Sequence, residues 1–247
     1  MAETISVSYH NVIQACAEPG CPLCRLSEKS VTLYLGALMY ELVNDPDSRD
    51  RIRESLGFCN PHAYHLLTMT GSALGIGIIF RDVVNTVIKP LEGAAYTPPR
   101  GAPLQRVAEA LNRQRPAAGS EAVVQALTPQ KPCPVCVQQE KMDALALAAL
   151  VEGLGDEQLQ AALRASAGLC LPHLRGALQA VRSPAAFDTL VSIARERCQA
   201  LRAELDEFIR KNDYRFQHEG MGAEGDSWKR AVWQMVGRTG MQDRVTK

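Results

Sequence analysis

Cys21-Pro22-Leu23-Cys24 and Cys59-Asn60-Pro61-His62 are repeated downstream as Cys133-Pro134-Val135-Cys136 and Cys170-Leu171-Pro172-His173. Residue types, order and spacing all recur: 34 residues separate Cys24 from Cys59, and 33 separate Cys136 from Cys170. Each copy offers three thiolates and one imidazole, the ligand set of a closed tetrahedral zinc site. Two residues between the members of a pair let one tight turn aim both side chains at one point. The expected metal ligands are therefore Cys21, Cys24, Cys59, His62, Cys133, Cys136, Cys170 and His173. Buried free cysteines beside surface histidines would give no reason for such a duplication.

The sequence around these phrases reads as helical. After Cys24 the apolar residues Val31, Leu35, Leu38 and Leu42 fall at steps of four, three and four, one face of a helix that should stop near Asn44-Asp45-Pro46. A shorter helix, Ser48 to Leu56, leads to the second ligand pair. A straight helix through the intervening 34 residues would hold the two pairs about 50 Å apart at ~1.5 Å per residue. The chain must therefore double back, and Gly153-Leu154-Gly155-Asp156 offers the second copy the same break. Pro61 and Pro172, between Cys and His, suit a first helical turn, so His62 and His173 should open long helices, the first running to about Lys89 with Gly71, Gly75 and Gly77 marking a kink or a close helix contact. A helix N-terminus also favours negative charge, which helps to hold thiolates deprotonated. After His173 the pattern gives two helices broken at Ser183-Pro184. Spacing alone leaves open whether each site closes within one copy or across the two.

The rest of the chain is less regular. Residues 1 to 20 read as a lead-in ending in the turn Glu18-Pro19-Gly20. Residues 94 to 132 hold Pro98, Pro99, Pro103, Pro116, Pro129 and Pro132, with little periodicity beyond Leu104 to Leu111, and read as a linker or long loop. The tail gathers Asp213-Tyr214-Arg215-Phe216, His218-Glu219 and Asp226-Ser227-Trp228, in a chain with only 5% aromatic residues. Asp226 or Ser227 can cap a helix with Trp228, Val232 and Met235 on one side.

Composition bounds the function. The 247 residues, 46% hydrophobic and 22% charged, can bury a real core, and Lys+Arg balance Asp+Glu at 27 each. That balance removes the usual electrostatic warrant for nucleic-acid or anionic-membrane binding. The most apolar run, Ala73 to Phe80, falls far short of the ~20 residues of a membrane span. Met1 to His10 lacks the basic start and apolar run of a secretory leader, so a cytoplasmic location is expected. There paired thiols serve as metal ligands or redox groups rather than disulfides.

Several rivals remain. Thiolate-rich sites also hold iron–sulfur clusters, so two zinc ions and two clusters are both compatible with the pattern. A thiol–disulfide oxidoreductase would place Cys-x-x-Cys beside a βαβ unit and leave the Cys-x-x-His phrases without a role. No Gly-rich phosphate loop, nucleophile elbow or His-Glu-x-x-His is present, and no catalytic residue is assigned. His65 reads as a residue behind the ligands or at the surface rather than as a ligand, because Gly176 stands at its place in the second copy. Cys198 reads as a core residue on a helix face, Cys16 as a spare thiol able to substitute as a ligand, and His10 as solvated. Tyr214, Phe216, Trp228 and Trp233 either cap a helical core or meet a protein partner.

The duplicated Cys-Pro-x-Cys and Gly-x-Cys-x-x-His layout, with the closing Asp-Tyr-Arg-Phe and Asp-Ser-Trp stretch, resembles an uncharacterised bacterial family, a domain of unknown function, over residues of about 17 to 236. The resemblance implies a helical protein with two such sites and carries no activity with it.

The expected architecture is all-α: two related helical repeats, each closed by a Cys3His site, and a C-terminal docking tail. The divisions are residues 1–93, a Pro-rich linker 94–130, residues 131–211 and the tail 212–247. Three functions fit: a zinc-binding interaction or adaptor module meeting a protein through its aromatic tail, an iron–sulfur electron-transfer or redox-sensing protein, and an enzyme with a cleft between the repeats and the tail lined by Tyr214, Arg215, His218 and Glu219.

Overall fold

Capping side chains and prolines set most of the helix starts. Asp45 accepts a hydrogen bond from the Ser48 amide at 2.8 Å ahead of Pro46. Asp156 accepts from Gln158 at 2.7 Å, and Ser183 from Ala186 at 3.2 Å ahead of Pro184. Each satisfies an amide that the first helical turn leaves without a partner, and proline costs nothing there. In the computed structural model of the chain, residues 2–92, 94 and 118–237 are described. They form α1 (Ala2–Cys16), α2 (Pro22–Tyr40), α3 (Pro46–Glu54), α4 (Asn60–Leu67), α5 (Ala73–Glu92), α6 (Ala118–Ala126), α7 (Pro134–Glu152), α8 (Glu157–Ala165), α9 (Leu171–Ala180), α10 (Pro184–Lys211) and α11 (Ser227–Val236). No strand occurs among the described residues, and the protein is all-α.

The helices that follow the two copies of the ligand phrases match. Each Cys-Pro-x-Cys heads a 19-residue helix, α2 or α7. A 9-residue helix follows, α3 or α8. A short helix then opens at each Cys-x-x-His, with 8 residues in α4 and 10 in α9.

Some expectations change. The lead-in of residues 1–20 does end in a turn, at 17–20, but α1 occupies most of it and buries Val12, Ala15 and Cys16. The helical stretch from His62 to Lys89 is interrupted at Gly71, the first of its three marked glycines, by a full break over residues 68–72: Gly71 takes φ +79° and the Ser72 hydroxyl donates to the Met69 carbonyl at 2.7 Å. Of the expected linker, residues 95–117, including Leu104 to Leu111, lie outside the described residues, as do residue 93 and residues 238–247 of the tail. Residues 118–126 at its far end are helical.

The chain divides into two compact units, Met1–Thr32 with Gln138–Lys247, and Leu33–Val137. The first is built on Val12, Cys16, Leu23, Leu150, Leu154, Leu159, Leu163, Ala177, Leu190 and Ile193, with α1 against α8 and α10 against α11. Its tail is fastened by ion pairs of Arg230 with Glu204 and with Asp226, and of Lys211 with Glu224 at 2.8 Å. The second unit centres on Leu38, Ile52, Ile79 and Val83, flanked by Tyr34, Met39, Phe58 and Phe80, with α3 and α6 on α5. Arg49 and Arg53 of α3 both pair with Asp82 of α5. No helix among the described residues is long and apolar enough to cross a membrane.

Candidate metal centres

All four ligand phrases adopt one local geometry. In each, the carbonyl of the first cysteine accepts the opening helical hydrogen bond: Arg25 to Cys21 at 3.1 Å, Ala63 to Cys59 at 2.9 Å, Val137 to Cys133 at 3.1 Å and Leu174 to Cys170 at 2.8 Å. The first ligand therefore stands at the N-cap and the second three residues on, in the first turn. Those are the two positions whose side chains meet in a capping box. Here the pair converges on an outside point instead of on the backbone, and neither Cys59 nor Cys170 caps its helix with its side chain. Proline at the first or second helical position supplies the required φ and removes an amide that would have no partner.

Two such helix starts meet at each centre. Cys21, Cys24, Cys170 and His173 form one group, Cys59, His62, Cys133 and Cys136 the other, and within each group the ligand atoms all lie within 4.8 Å of one another. In the first, His173 Nδ1 is 3.5, 3.4 and 3.2 Å from the sulfurs of Cys21, Cys24 and Cys170, and Cys24 Sγ is 3.6 Å from Cys170 Sγ. In the second, His62 Nδ1 is 3.1, 3.7 and 3.4 Å from Cys59, Cys133 and Cys136, and Cys59 Sγ is 3.5 Å from Cys136 Sγ. A tetrahedral ion with metal–sulfur bonds of ~2.3 Å and a metal–nitrogen bond of ~2.1 Å spaces its ligands by about 3.8 Å between sulfurs and about 3.6 Å between sulfur and nitrogen. These edges fall within about half an ångström of those values, so both donor sets fit one ion. Each group lies inside one compact unit.

The eight residues come together in the crossed arrangement. Each Cys-x-x-Cys meets the Cys-x-x-His of the other copy, so a copy is not shut on itself by its own two pairs. Helix length disfavours closure within a copy: at ~1.5 Å per residue the 19-residue α2 is about 28 Å long, and the 9-residue α3, even running straight back, could recover only about 14 Å.

The charge balance of the groups points the same way. Burial pushes the Cys136 thiol up, and the neighbouring Cys59 and Cys133 sulfurs push it further, to about 12. Burial also opposes the Cys133 thiolate, but hydrogen bonds from His62 and the amides of Val135 and Cys136 leave it below its usual range. Burial disfavours charge on His173, yet the three surrounding sulfurs raise it to about 12. Three thiolates this close repel unless a cation stands among them, and two helix N-termini offset only part of that repulsion.

A family model described as "Family of unknown function (DUF6062)" matches residues 3–242. The chain belongs to this family. It is also similar to the "Uncharacterized 23.9 kDa protein in xynA 3'region" of Caldicellulosiruptor sp. (strain Rt8B.4), 25% identical over 223 residues that cover 90% of this chain and 97% of the relative. No solved structure matches.

In this DUF6062 chain two serines support the centres, and sequence reasoning passed over them. Ser55 Oγ donates to the Gly57 carbonyl at 2.7 Å, and Ser166 Oγ accepts from the Gly168 amide at 2.9 Å, shaping the turns that deliver Cys59 and Cys170. Gly57 and Gly168 take φ of +97° and +77°, a region closed to most side chains. The signal was present, since Ser-x-Gly-x-Cys occurs in both copies. Asp143 of α7 was also passed over: burial raises its carboxyl, against a hydrogen bond with Ser27 and the nearby charge of His173.

Other candidates fall outside both groups. Cys16 is buried beside the first, its thiol pushed to about 11 by burial and by the Cys21 charge, and it is not one of the four. His65 is buried and is not one of the four, so of its two readings the one behind the ligands stands and the surface one does not. Cys198 is exposed rather than part of the core, and His10 is exposed with Gln14 3.0 Å from its ring. Tyr214 is 81% exposed, and Arg210 lies 4.6 Å over the Phe216 ring. A cleft of about 140 Å³ opens instead beside Cys21, lined by Arg197, Glu204, Arg230, Trp233 and Gln234 among others and by none of Tyr214, Arg215, His218 or Glu219.

Proposed function

We propose that this DUF6062 chain is a zinc-binding interaction module in which two Cys3His ions tie the ends of helices distant in sequence, and the C-terminal segment meets a protein partner. One observation carries the reading: in each centre the four donor atoms lie within 4.8 Å of one another. Two metal–thiolate bonds of ~2.3 Å laid end to end already span about 4.6 Å. That span suits one ion better than a multi-iron core with each thiolate on its own iron. Three thiolates and an imidazole suit zinc, and four protein ligands leave no open position for a substrate. Zinc would neutralise most of the thiolate charge and pin two helix starts together; binding it displaces the protons that the free thiols hold. Such thiols persist in a reducing compartment, in keeping with a cytoplasmic location.

The interaction half of the reading is supported by α11, whose Trp228, Val232, Met235 and Val236 are 49–67% exposed at helical spacing. Elemental analysis with an optical spectrum tests the metal: colourless protein with two zinc per chain is expected. Brown protein with acid-labile sulfide, or protein without metal, overturns it. For the tail, a binding protein retained by the wild type and lost with Trp228→Ser and Val232→Ser at unchanged zinc content is expected.

A further inference from the structure

The two centres share one sulfur geometry and differ in access. Cys24 Sγ and Cys170 Sγ are 3.6 Å apart in the first, and Cys59 Sγ and Cys136 Sγ are 3.5 Å apart in the second. In the first centre the three cysteines are 5, 6 and 0% exposed. The chain leaving α11 covers it as well: a methyl group on Gly237 would lie 3.6 Å from both Cys24 Sγ and Cys170 Sγ. Gln234 of the same helix donates to the carbonyl of Leu169, next to Cys170. In the second centre Cys133 and His62 are buried, but Cys59 and Cys136, the close sulfur pair, are only half-buried.

We propose that the Cys59–Cys136 edge is a site of oxidative modification, at which a hydroperoxide converts the two thiolates to a disulfide and expels the ion of the second centre, while the first centre keeps its own. The inference rests on the metal reading above. In the first step the Cys59 thiolate attacks hydrogen peroxide, the O–O bond breaks, and Cys59 sulfenic acid and hydroxide form. In the second, the Cys136 thiolate attacks that sulfur, the S–O bond breaks, and a second hydroxide leaves. Two thiolates lose two electrons to one peroxide. The ion, left with Cys133 and His62, dissociates to solvent. Which cysteine is attacked first does not alter the balance. Closing the sulfurs from 3.5 Å to a disulfide length of ~2.0 Å moves each by under an ångström, well within reach of first-turn side chains. The buried pair has the same distance to travel but lies out of the peroxide's reach, since oxidation follows thiolate exposure.

The test treats the purified, metal-loaded full-length chain with hydrogen peroxide, following released metal with a colorimetric chelator and mapping cross-linked peptides by mass spectrometry. The expected result is release of half of the bound metal before the rest begins to leave, with a Cys59–Cys136 disulfide and reduced Cys24 and Cys170. Thiol reductant plus zinc should restore the full content. Cys24→Ser and Cys59→Ser variants each isolate one centre: the first should lose its remaining metal under the same treatment and the second should keep it. Loss from both centres at one rate, or a cross-link at Cys24–Cys170, overturns the proposal and leaves the metal reading standing. A chain that purifies without metal removes both.

Discussion

If the centres are crossed, pairs of substitutions separate by which centre they strike rather than by which copy they lie in. Cys21→Ser with Cys170→Ser removes two ligands of one centre and leaves the other complete. Cys21→Ser with Cys59→Ser strikes both. The size of the effect follows from the loops that the ions close. The first centre joins Cys24 to Cys170 across 146 positions, and the second joins Cys59 to Cys136 across 77. Treated as cross-links, they restrict the unfolded chain by about 5 and about 4.5 kcal/mol. For a chain of this size ~1 kcal/mol corresponds to ~2–4 °C in Tm, so either centre contributes on the order of 10–20 °C. After dialysis against a chelator that strips three-ligand sites, Cys21→Ser/Cys170→Ser should hold one zinc, with a Tm close to that of either single variant, because the second substitution acts on a centre already lost. Cys21→Ser/Cys59→Ser should hold none, and its Tm losses should add. Elemental analysis and calorimetry read both quantities. The reverse pattern, one zinc in the same-copy pair and none in the cross-copy pair, would refute the crossed assignment.

Three further outcomes follow from single side chains. Gly168→Ala should cost roughly 1–3 kcal/mol and weaken zinc in the first centre alone, because φ is +77° and the new methyl would lie 2.9 Å from Arg197 Cγ. Gly57→Ala, whose nearest neighbour would be Phe80 at 3.6 Å, should cost only the backbone strain of about 1–2 kcal/mol; chemical denaturation with metal analysis compares the two. Glu224 is held down to about 2 by the Gly222 amide and by Lys211. Its folded value lies below the unfolded ~4.3, so its contribution is fully present above that pH and is lost as pH falls toward 2. Thermal melts followed by tryptophan fluorescence should show that loss, and Glu224→Gln should flatten it. Leu150, fully buried in the first unit, should cost about 2–5 kcal/mol as Leu150→Ala, whereas Leu74→Ala, at a position 77% exposed, should change stability by no more than about 0.5 kcal/mol.

The donor set was legible in the sequence because ligand chemistry is local: two side chains three residues apart in one helical turn converge whatever the rest of the chain does. Helix breaks at Pro46, at Gly153 to Gly155 and at Ser183-Pro184 were legible for the same reason, since caps and prolines act on their own turn. The pairing of the copies was not, because it depends on where long helices end in space. The helix inside residues 1–20 was passed over through attention to the Pro19-Gly20 turn, although Val12 and Cys16, four apart, both enter the core. Cys198 was misplaced because a single thiol on a helix carries little directional signal when its neighbours are mixed. The apolar face of α11 was readable as a period but not as exposed, because spacing shows that side chains share a side and not what covers it.

Crossing also decides when either centre can exist. The first copy carries half of each donor set, and its outward helix of 19 residues is more than twice as long as the return of 9. Even a return leg running straight back would leave about 14 Å of the outward leg for the turns to cover before the two pairs could share an ion. The second copy has the same 19 and 9 and the same shortfall. Neither copy can bind its ion until the other supplies the missing pair, so a chain ending at residue 130 should retain no zinc against a chelator that leaves the full chain with two. Adding residues 131–247 as a separate polypeptide should restore both ions together with helical circular dichroism, because each half brings one pair to each centre. Retention of one tightly held zinc by the shorter chain, at a concentration where it is monomeric, would mean that a copy can close on itself and that the helix-length argument fails.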